Sequence, residues 1–111
     1  MELDVIEFQV KDFEKTVDWY KKLFKILYLE DHFAMFDAGK ASLAIDKGKE
    51  NKAILYFNSK NLETDRKELK EKGIAVSRIQ KVGWGRKFFF TDPGGFKHFV
   101  CQKPVKAGLQ D

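Results

Sequence analysis

Residues 86–102 read Arg-Lys-Phe-Phe-Phe-Thr-Asp-Pro-Gly-Gly-Phe-Lys-His-Phe-Val-Cys-Gln, and this stretch predicts a β-hairpin. Its centre, Asp92-Pro93-Gly94-Gly95, is typical of a tight turn. Proline fixes φ at the first corner, aspartate bonds to nearby backbone, and glycine tolerates positive φ. The runs on either side are rich in aromatic and β-branched residues, as strands require.

Alternation along the hairpin assigns each side chain to one of two faces, because successive side chains of a strand point in opposite directions. One face carries Lys87, Phe89, Lys97, Phe99 and Cys101, and the other carries Phe88, Phe90, His98 and Val100. We expect the second face to pack against a helix. The first face would then point away from that helix.

The composition is that of an ordinary globular protein. The 111 residues are 43% hydrophobic and include a single cysteine, Cys101. We expect one domain over 1–111 from this length, and no apolar run approaches the ~18 residues of a membrane span. One cysteine allows no internal disulfide, and the acidic start Met-Glu-Leu-Asp is unlike a secretion signal. Both features favour a cytoplasmic protein.

The formal net charge of +4 does not indicate a nucleic-acid-binding protein. The lysines alternate with aspartate and glutamate along predicted helix faces, and no stretch interleaves arginine with aromatic residues. Such a pattern is typical of a solvated surface. We therefore expect neither nucleic acid nor membrane as a partner.

The rest of the chain reads as two βαβββ modules, about 3–46 and 53–102. The first is predicted to contain a helix over about 13–24, capped by Asp12, and strands Val5–Val10, Ile26–Glu30, Phe33–Asp37 and Ala41–Asp46. The second is predicted to contain strands Ala53–Asn58 and Ile74–Gln80, a helix from the cap Asn61 to Lys72, a loop at Gly83-Trp84-Gly85 and the hairpin. Residues 103–111 look like a loosely held tail.

Each module alone would leave one sheet face uncovered. The expected fold is therefore α+β, with the two modules forming one cupped mixed β-sheet and the helices on its convex side. In the first strand, Ile6, Phe8 and Val10 would cover the first helix. Glu7 and Gln9 would then point into the concave side.

Several short motifs resemble those of one protein superfamily. They are Val10-Lys11-Asp12 before a helix with Trp19-Tyr20, Gly83-Trp84-Gly85-Arg86, and Phe-Phe-Phe-Thr-Asp-Pro-Gly-Gly at 88–95. Together with the doubled βαβββ order over about 3–102, they resemble the vicinal oxygen chelate superfamily. It includes glyoxalase I, the bleomycin resistance proteins and the fosfomycin resistance enzymes. The family's usual last motif is Asp-Pro-Asp-Gly-Asn. Here Gly94 replaces its second Asp, and Phe96 replaces its Asn. The likeness is greatest to the bleomycin-resistance branch.

The resemblance also gives a prediction about metal binding. In metal-dependent members, four sheet positions carry His, Gln or Glu. Carried over by motif, these positions fall on Val5, Ala44, Ile54 and Phe99, the middle two within one or two residues. None of these side chains has the oxygen, nitrogen or sulfur donor that a divalent cation requires. We therefore expect no metal and no other cofactor.

The predicted ligand site combines a few polar groups with an aromatic wall. Glu7 and Gln9 would line the concave face, with Lys97 on the hairpin. The wall would comprise Phe33, Met35, Tyr56, Trp84, Phe89 and Phe99. Two alternatives stay open: Glu7 and Lys97 form a structural ion pair, or Glu7 anchors a cationic or hydrogen-bond-donating ligand. For the aromatic residues, the alternative is that they fill the cavity or a dimer interface.

The sequence shows no catalytic set built on histidine or cysteine. His98 is predicted on the helix-facing side as a structural histidine, and His32 in an exposed turn. Cys101 is expected to be a small packed hydrophobe rather than a nucleophile. The spacing of these residues therefore gives no support for nucleophilic catalysis.

The resemblance and the residues favour binding of an aromatic or hydrophobic small molecule of unknown identity, without a metal. Bleomycin resistance proteins, which sequester a drug in this way, are the example of such binding in the superfamily. One alternative is a lyase or isomerase of the same superfamily that uses Glu7 as acid or base. A second is a structural or interaction module whose cup is filled by its own side chains. The family likeness and the exposed sheet edges also predict a homodimer.

Overall fold

The computed structural model describes residues 1–103, so the predicted tail beyond Lys103 lies outside the described residues. The elements in chain order are β1 (Glu2–Val10), α1 (Phe13–Tyr20), β2 (Lys25–Leu29), β3 (Phe33–Asp37), β4 (Ser42–Lys47), β5 (Lys52–Asn58), α2 (Leu62–Glu71), β6 (Gln80–Val82), β7 (Gly85–Thr91) and β8 (Lys97–Gln102). This order confirms the doubled βαβββ pattern. Neither helix of the described range is long and apolar enough to cross a membrane.

The strands of the described residues belong to a mixed eight-stranded sheet, which confirms the α+β class. Strands β1 and β4 are parallel. Strands β2, β3 and β4 are antiparallel, as are β6, β7 and β8. The chain divides into two compact units, Leu3–Tyr56 and the chain from Phe57 onward with Met1–Glu2. The prediction of one domain stays a prediction.

In the unit Leu3–Tyr56, α1 packs on one face of the strands. Its N-terminus is capped by Asp12, whose side chain accepts a hydrogen bond of 3.2 Å from the Lys15 amide. Phe13 and Val17 lie one helical turn apart and are buried with residues from β3 and β4. Ile6, Phe8 and Val10 pack against this cluster, as the alternation along β1 predicts. Glu7 and Gln9 consequently point away from α1.

Helix α1 is shorter than predicted, because it ends at Tyr20 rather than near residue 24. The next amides form tighter i→i+3 bonds, from Lys22 to Trp19 and from Leu23 to Tyr20, as is common at helix ends. Phe24 leaves the helix but stacks on Tyr20 with ring centroids 6.3 Å apart. Leu23 is 57% exposed and therefore does not extend the buried side of the helix.

In the second unit, α2 covers the hairpin with few apolar side chains. Asn61 caps the helix by accepting a hydrogen bond of 3.1 Å from the Thr64 amide. Leu62 and Leu69 are buried against Phe88 and Val100. These contacts confirm the prediction that Phe88 and Val100 lie on the hairpin face that packs against the helix.

The predicted strand Ile74–Gln80 is wrong, since the chain forms only an isolated bridge between Val76 and Phe90 before β6 begins. Ser77 explains the interruption. Its amide donates to the Phe89 carbonyl at 2.9 Å, but the Phe89 amide donates to the Ser77 hydroxyl at 2.8 Å. The carbonyl of Ser77 instead accepts from Arg66 Nε at 2.8 Å. A side chain thus replaces one backbone group of the ladder.

The turn at 92–95 has the geometry that its residues predict. Gly95 has φ +88°, a conformation that L side chains rarely adopt. The Asp92 amide donates a hydrogen bond of 2.9 Å to the Phe96 carbonyl. The resulting register places Phe89 opposite Phe99 and Lys87 opposite Cys101. The predicted composition of both hairpin faces is confirmed.

The two hairpin faces should differ in their contribution to stability. Phe88 is 0% exposed, so Phe88→Ala should lower the free energy of unfolding by about 3–5 kcal/mol, the range for truncating a buried phenylalanine. Phe89→Ala, on the half-buried face, serves as the matched control and should cost less. Urea unfolding of both variants measures the difference. Equal losses would contradict the face assignment.

Candidate functional site

The hairpin face that points away from α2 carries a pair of aromatic rings. Phe89 and Phe99 are direct cross-strand partners, and their ring centroids lie 6.2 Å apart with planes tilted by 59°. Both residues are half-buried. Directly opposite aromatic residues stabilise a sheet through ring contact, and here they also form an apolar surface that solvent reaches.

Two lysines place their ammonium groups over these rings. Lys97 Nζ lies 4.3 Å from the centroid of Phe89, and Lys87 Nζ lies 4.9 Å from the centroid of Phe99. Both distances fall within the range of cation–π attraction. The structure therefore brings together Phe89, Lys97 and Phe99 of the predicted site and adds Lys87, which the sequence placed on this face without a role.

The segment 83–86 connects this hairpin to α2. A side chain at Gly85 would collide with the carbonyl oxygen of Gln102, so only glycine fits. Arg86 forms a two-pronged ion pair with Glu63 and also donates to the Gln102 side chain at 2.9 Å. Trp84, predicted to line the site, lies in the turn before Gly85 and is 46% exposed. Gly85 and Arg86 therefore serve packing and contacts with neighbouring elements, whereas the predicted role of Trp84 in the site stays a prediction.

The Arg86 guanidinium lowers the pKa of its partner Glu63. Its hydrogen bond to Glu63, with a contribution from backbone hydrogen bonding, lowers the pKa of Glu63 to about 2. The same hydrogen bond raises the pKa of Arg86. The pair thus stays ionised at every ordinary pH and joins the first turn of α2 to β7.

The unit Leu3–Tyr56 carries a second group of predicted site residues. On β1, Gln9 Nε2 donates a hydrogen bond of 3.1 Å to Glu7 Oε2. In the register of β1, β3 and β4, Glu7 lies beside Ala44 and Gln9 beside Asp46, while Asp46 pairs with Phe33 and Ala44 with Met35. The structure therefore brings Glu7, Gln9, Phe33 and Met35 onto one face.

Two residues of this face were missed by the sequence analysis. Asp46 adds a second carboxylate between Gln9 and Phe33. Tyr28 pairs with Met35, and its ring centroid lies 6.2 Å from that of Phe33. A register shift between Ile26 and Tyr28 turns the tyrosine to this face. The sequence could have signalled Asp46 by simple alternation, but it gives no sign of the shift.

Tyr56 is half-buried in β5. Glu7, Gln9, Phe33, Met35 and Tyr56 belong to one compact unit, and Trp84, Phe89, Lys97 and Phe99 belong to the other. The expectation that both sets bind one ligand stays a prediction. The predicted pair of Glu7 with Lys97 likewise stays a prediction.

The histidines lie where the sequence analysis expected them. His98 is buried, with Nε2 2.8 Å from Asp92 Oδ2 and its ring 5.6 Å from that of Phe90, which confirms a partnered structural histidine. The hydrogen bond from His98, followed by that from the Phe96 amide, lowers the pKa of Asp92. His32 is exposed, and Cys101 is half-buried.

The family model described as Glyoxalase/Bleomycin resistance protein/Dioxygenase superfamily matches residues 2–98. The chain belongs to this superfamily. The match confirms, at the level of the superfamily, the likeness seen in the motifs. No curated protein matches the sequence significantly.

Several solved structures share the fold at low sequence identity. Methylmalonyl-CoA epimerase from Mycobacterium tuberculosis is 13% identical, with a TM-score of 0.64, over 94% of this chain and 89% of that one. A superfamily member from Vibrio splendidus 12B01 is 14% identical, with a TM-score of 0.62, over 92% and 99%. The Mn(II)-bound glyoxalase from Novosphingobium aromaticivorans is 17% identical, with a TM-score of 0.66, over 96% and 42%.

The metal ion of some superfamily members has no matching donor set here. Val5 and Ala44 are diagonal neighbours on one face, because Val5 pairs with Ser42 and Glu7 with Ala44. Ile54 and Phe99 likewise offer only carbon atoms from their side chains. Among residues 1–103, no three His, Cys, Asp or Glu side chains are grouped as a metal site requires. The residues present do not fit the metal centre that the superfamily implies.

This chemistry predicts that the protein binds no stoichiometric divalent metal. Elemental analysis of protein purified without chelator should find less than one equivalent of any transition metal per chain. Glu7, Gln9 and Asp46 are oxygen donors on the same face as Val5 and Ala44, so the Glu7→Gln variant is the control for weak adventitious binding. One equivalent of zinc, nickel, manganese or iron in the unaltered protein would contradict the prediction.

The Glu63–Arg86 pair predicts a specific pH dependence. A carboxylate whose pKa is depressed in the folded state stabilises the fold above its unfolded pKa, near 4.3, and loses that contribution as pH falls toward its folded pKa. Because the folded pKa of Glu63 is about 2, its contribution to stability is lost between about pH 4.3 and about pH 2. The stability difference between the wild type and Glu63→Gln should therefore shrink across this window.

Urea unfolding at neutral pH and at successively lower pH measures this difference. Glu71→Gln, in the exposed last turn of the same helix, is the matched control and should show a smaller change. A difference for Glu63→Gln that is constant from neutral to low pH would show that the ion pair does not contribute to stability.

Proposed function

We propose that the protein binds an aromatic or hydrophobic small molecule without a metal ion, on the strand faces that point away from the helices. The half-buried pair Phe89 and Phe99, with ring centroids 6.2 Å apart, carries this proposal. Ligand sites are lined mainly by apolar and aromatic side chains with a few polar groups that fix orientation. The hairpin face offers that combination.

The contrast between the two faces of the hairpin supports a binding role. Phe88 and Val100 on the helix side are fully buried, so they already contribute all their apolar area to the core. Phe89 and Phe99 on the other side remain half-buried. Covering their remaining surface with a ligand would remove apolar area from water at about 25 cal/mol per Å². The favourable energy of this face is thus available to a ligand.

In the unit Leu3–Tyr56, Glu7 and Gln9 are the polar groups that we propose for ligand binding on that unit's own strand face. Both are half-buried, and the hydrogen bond from Gln9 orients one oxygen of the Glu7 carboxylate. Phe33 and Met35 provide apolar contact on the same face. Sequestration of a drug-like compound, as in bleomycin resistance proteins, is the form of binding we favour.

One observation favours a second candidate, an enzyme of the lyase or isomerase type. A general acid or base must be held in a defined orientation near its substrate, and the contact with Gln9 gives Glu7 such an orientation. Asp46 lies beside Gln9 in the register, so a second carboxylate is close by. If the protein is an enzyme, Glu7→Gln should bind ligand normally but abolish turnover.

The homodimer remains part of the proposal. Leu27, Tyr28 and Leu29 of β2 are each more than half exposed, and β2 is the first strand in the order of the sheet. Exposed apolar strands at a sheet edge are usually covered by a partner. Light scattering at micromolar concentration should therefore give twice the chain mass, and a monomer would remove this part of the proposal.

A thermal-shift screen against aromatic compounds tests the proposed function. Active compounds should raise Tm equally with and without a chelator, because binding to the folded state stabilises it and no metal is involved. Phe89→Ala should reduce the shift. Phe96→Ala, which removes an exposed ring in the turn, is the matched control and should leave it unchanged. A shift lost on chelation, or no shift with any compound, would contradict the proposal and favour a metal-dependent or purely structural role respectively.

A further inference from the structure

We propose that the ligand is an aromatic anion, whose oxyanion group is bound by the ammonium groups of Lys87 and Lys97. This inference rests on the proposed function and names the chemical class of its ligand. It starts from the arrangement of four side chains on the hairpin face that points away from α2. These are Lys87, Phe89, Lys97 and Phe99, called the lysine–phenylalanine cluster below.

The register makes both ammonium groups converge on one row of the sheet. Phe89 and Phe99 form the central row, with Lys87 in the row on one side and Lys97 in the row on the other. Each lysine reaches back diagonally, so that its ammonium group lies over the ring on the opposite strand, at 4.9 Å and 4.3 Å. Two positive charges from different strands are thereby directed to the same pair of rings.

The charge of this face is entirely positive within the described part of β6, β7 and β8. Gln80 lies beside Lys87 and Thr91 beside Lys97, so the neighbouring rows contribute neutral side chains. A ring attracts an ammonium group through its quadrupole but does not neutralise its charge. The cluster therefore has a charge of +2 on an apolar floor, and an anion complements it.

The cation–π contacts also prepare the lysines for binding. A lysine side chain loses considerable rotamer freedom when it is fixed, and that loss weakens binding unless it has already occurred. Here the rings hold each ammonium group in place before a ligand arrives. An ammonium group has three N–H donors, and those directed away from the ring can donate to a carboxylate or other oxyanion.

The charge of the cluster differs from that of Glu7, which by itself suggests a cationic ligand. The Glu7 carboxylate already accepts a hydrogen bond from Gln9, which satisfies part of its need for a partner. The hairpin has two positive charges and no carboxylate on its open face. The balance of charge on the aromatic surface therefore favours a negatively charged ligand.

Three probes with the same ring system test the inference: 2-naphthoate, 2-naphthalenemethanol and 2-naphthylmethylamine. Isothermal titration calorimetry should rank the anion tightest and the amine weakest. Lys87→Gln and Lys97→Gln should each weaken naphthoate binding about two- to fivefold, the value of a solvent-accessible ion pair. They should leave the alcohol nearly unchanged. Rising salt should weaken only the naphthoate.

Lys81→Gln is the matched control, because Lys81 pairs with Arg86 and so lies on the opposite face of the hairpin. It should leave the affinity for naphthoate unchanged. If the alcohol binds as tightly as naphthoate and the two lysine variants have no effect, this inference is wrong but the proposed function stands. Tighter binding of the amine would also overturn it. If none of the three probes binds, the proposed function itself fails for this ring class.

Discussion

The side chain and backbone of Asp92 fix the hairpin on which the rest of the second unit depends. Its carboxylate accepts hydrogen bonds from the Phe96 amide at 3.0 Å and contacts His98 Nε2 at 2.8 Å. Its backbone bonds to Phe96 and Gly95 at 2.9 Å each. Together these contacts determine the register of β7 and β8. A slip by one residue would exchange the two faces of the hairpin, so both the core and the candidate site follow from this turn.

The helix-facing side of the hairpin illustrates how a small apolar contact is reinforced by polar ones. Only Leu62 and Leu69 of α2 are buried, which is a narrow apolar stripe for a helix that packs on the hairpin. The ion pair between Glu63 and Arg86 and the hydrogen bond from Arg86 to Gln102 join the same elements. Gln102 in turn accepts from the Leu62 amide at 3.1 Å. The motif residue Arg86 thus connects α2 to both strands of the hairpin.

The hairpin face that points away from α2 carries the side chains that we propose for ligand binding. Membership of the superfamily does not decide between binding and catalysis, because one fold hosts many functions and function depends on the groups at the site. The groups that we propose for ligand binding are the lysine–phenylalanine cluster in one unit and, separately, the Glu7–Gln9 pair in the other. The first favours an anionic aromatic ligand held without a metal. The Glu7–Gln9 pair is the part of the proposal that would support acid–base chemistry, with Asp46 beside it, so a variant at Glu7 separates binding from catalysis.

The sequence by itself determined the features that follow from local rules. The turn at 92–95, the alternation that separates Phe88 from Phe89, and the caps Asp12 and Asn61 each depend on residues a few positions apart. The tertiary structure decided what depends on residues far apart in the chain. Contacts of Ser77 with Phe89 replaced a predicted strand, and the register shift in β2 brought Tyr28 to the site face. The lysine–phenylalanine cluster belongs to the same class, because diagonal contacts exist only once two strands are paired in a definite register.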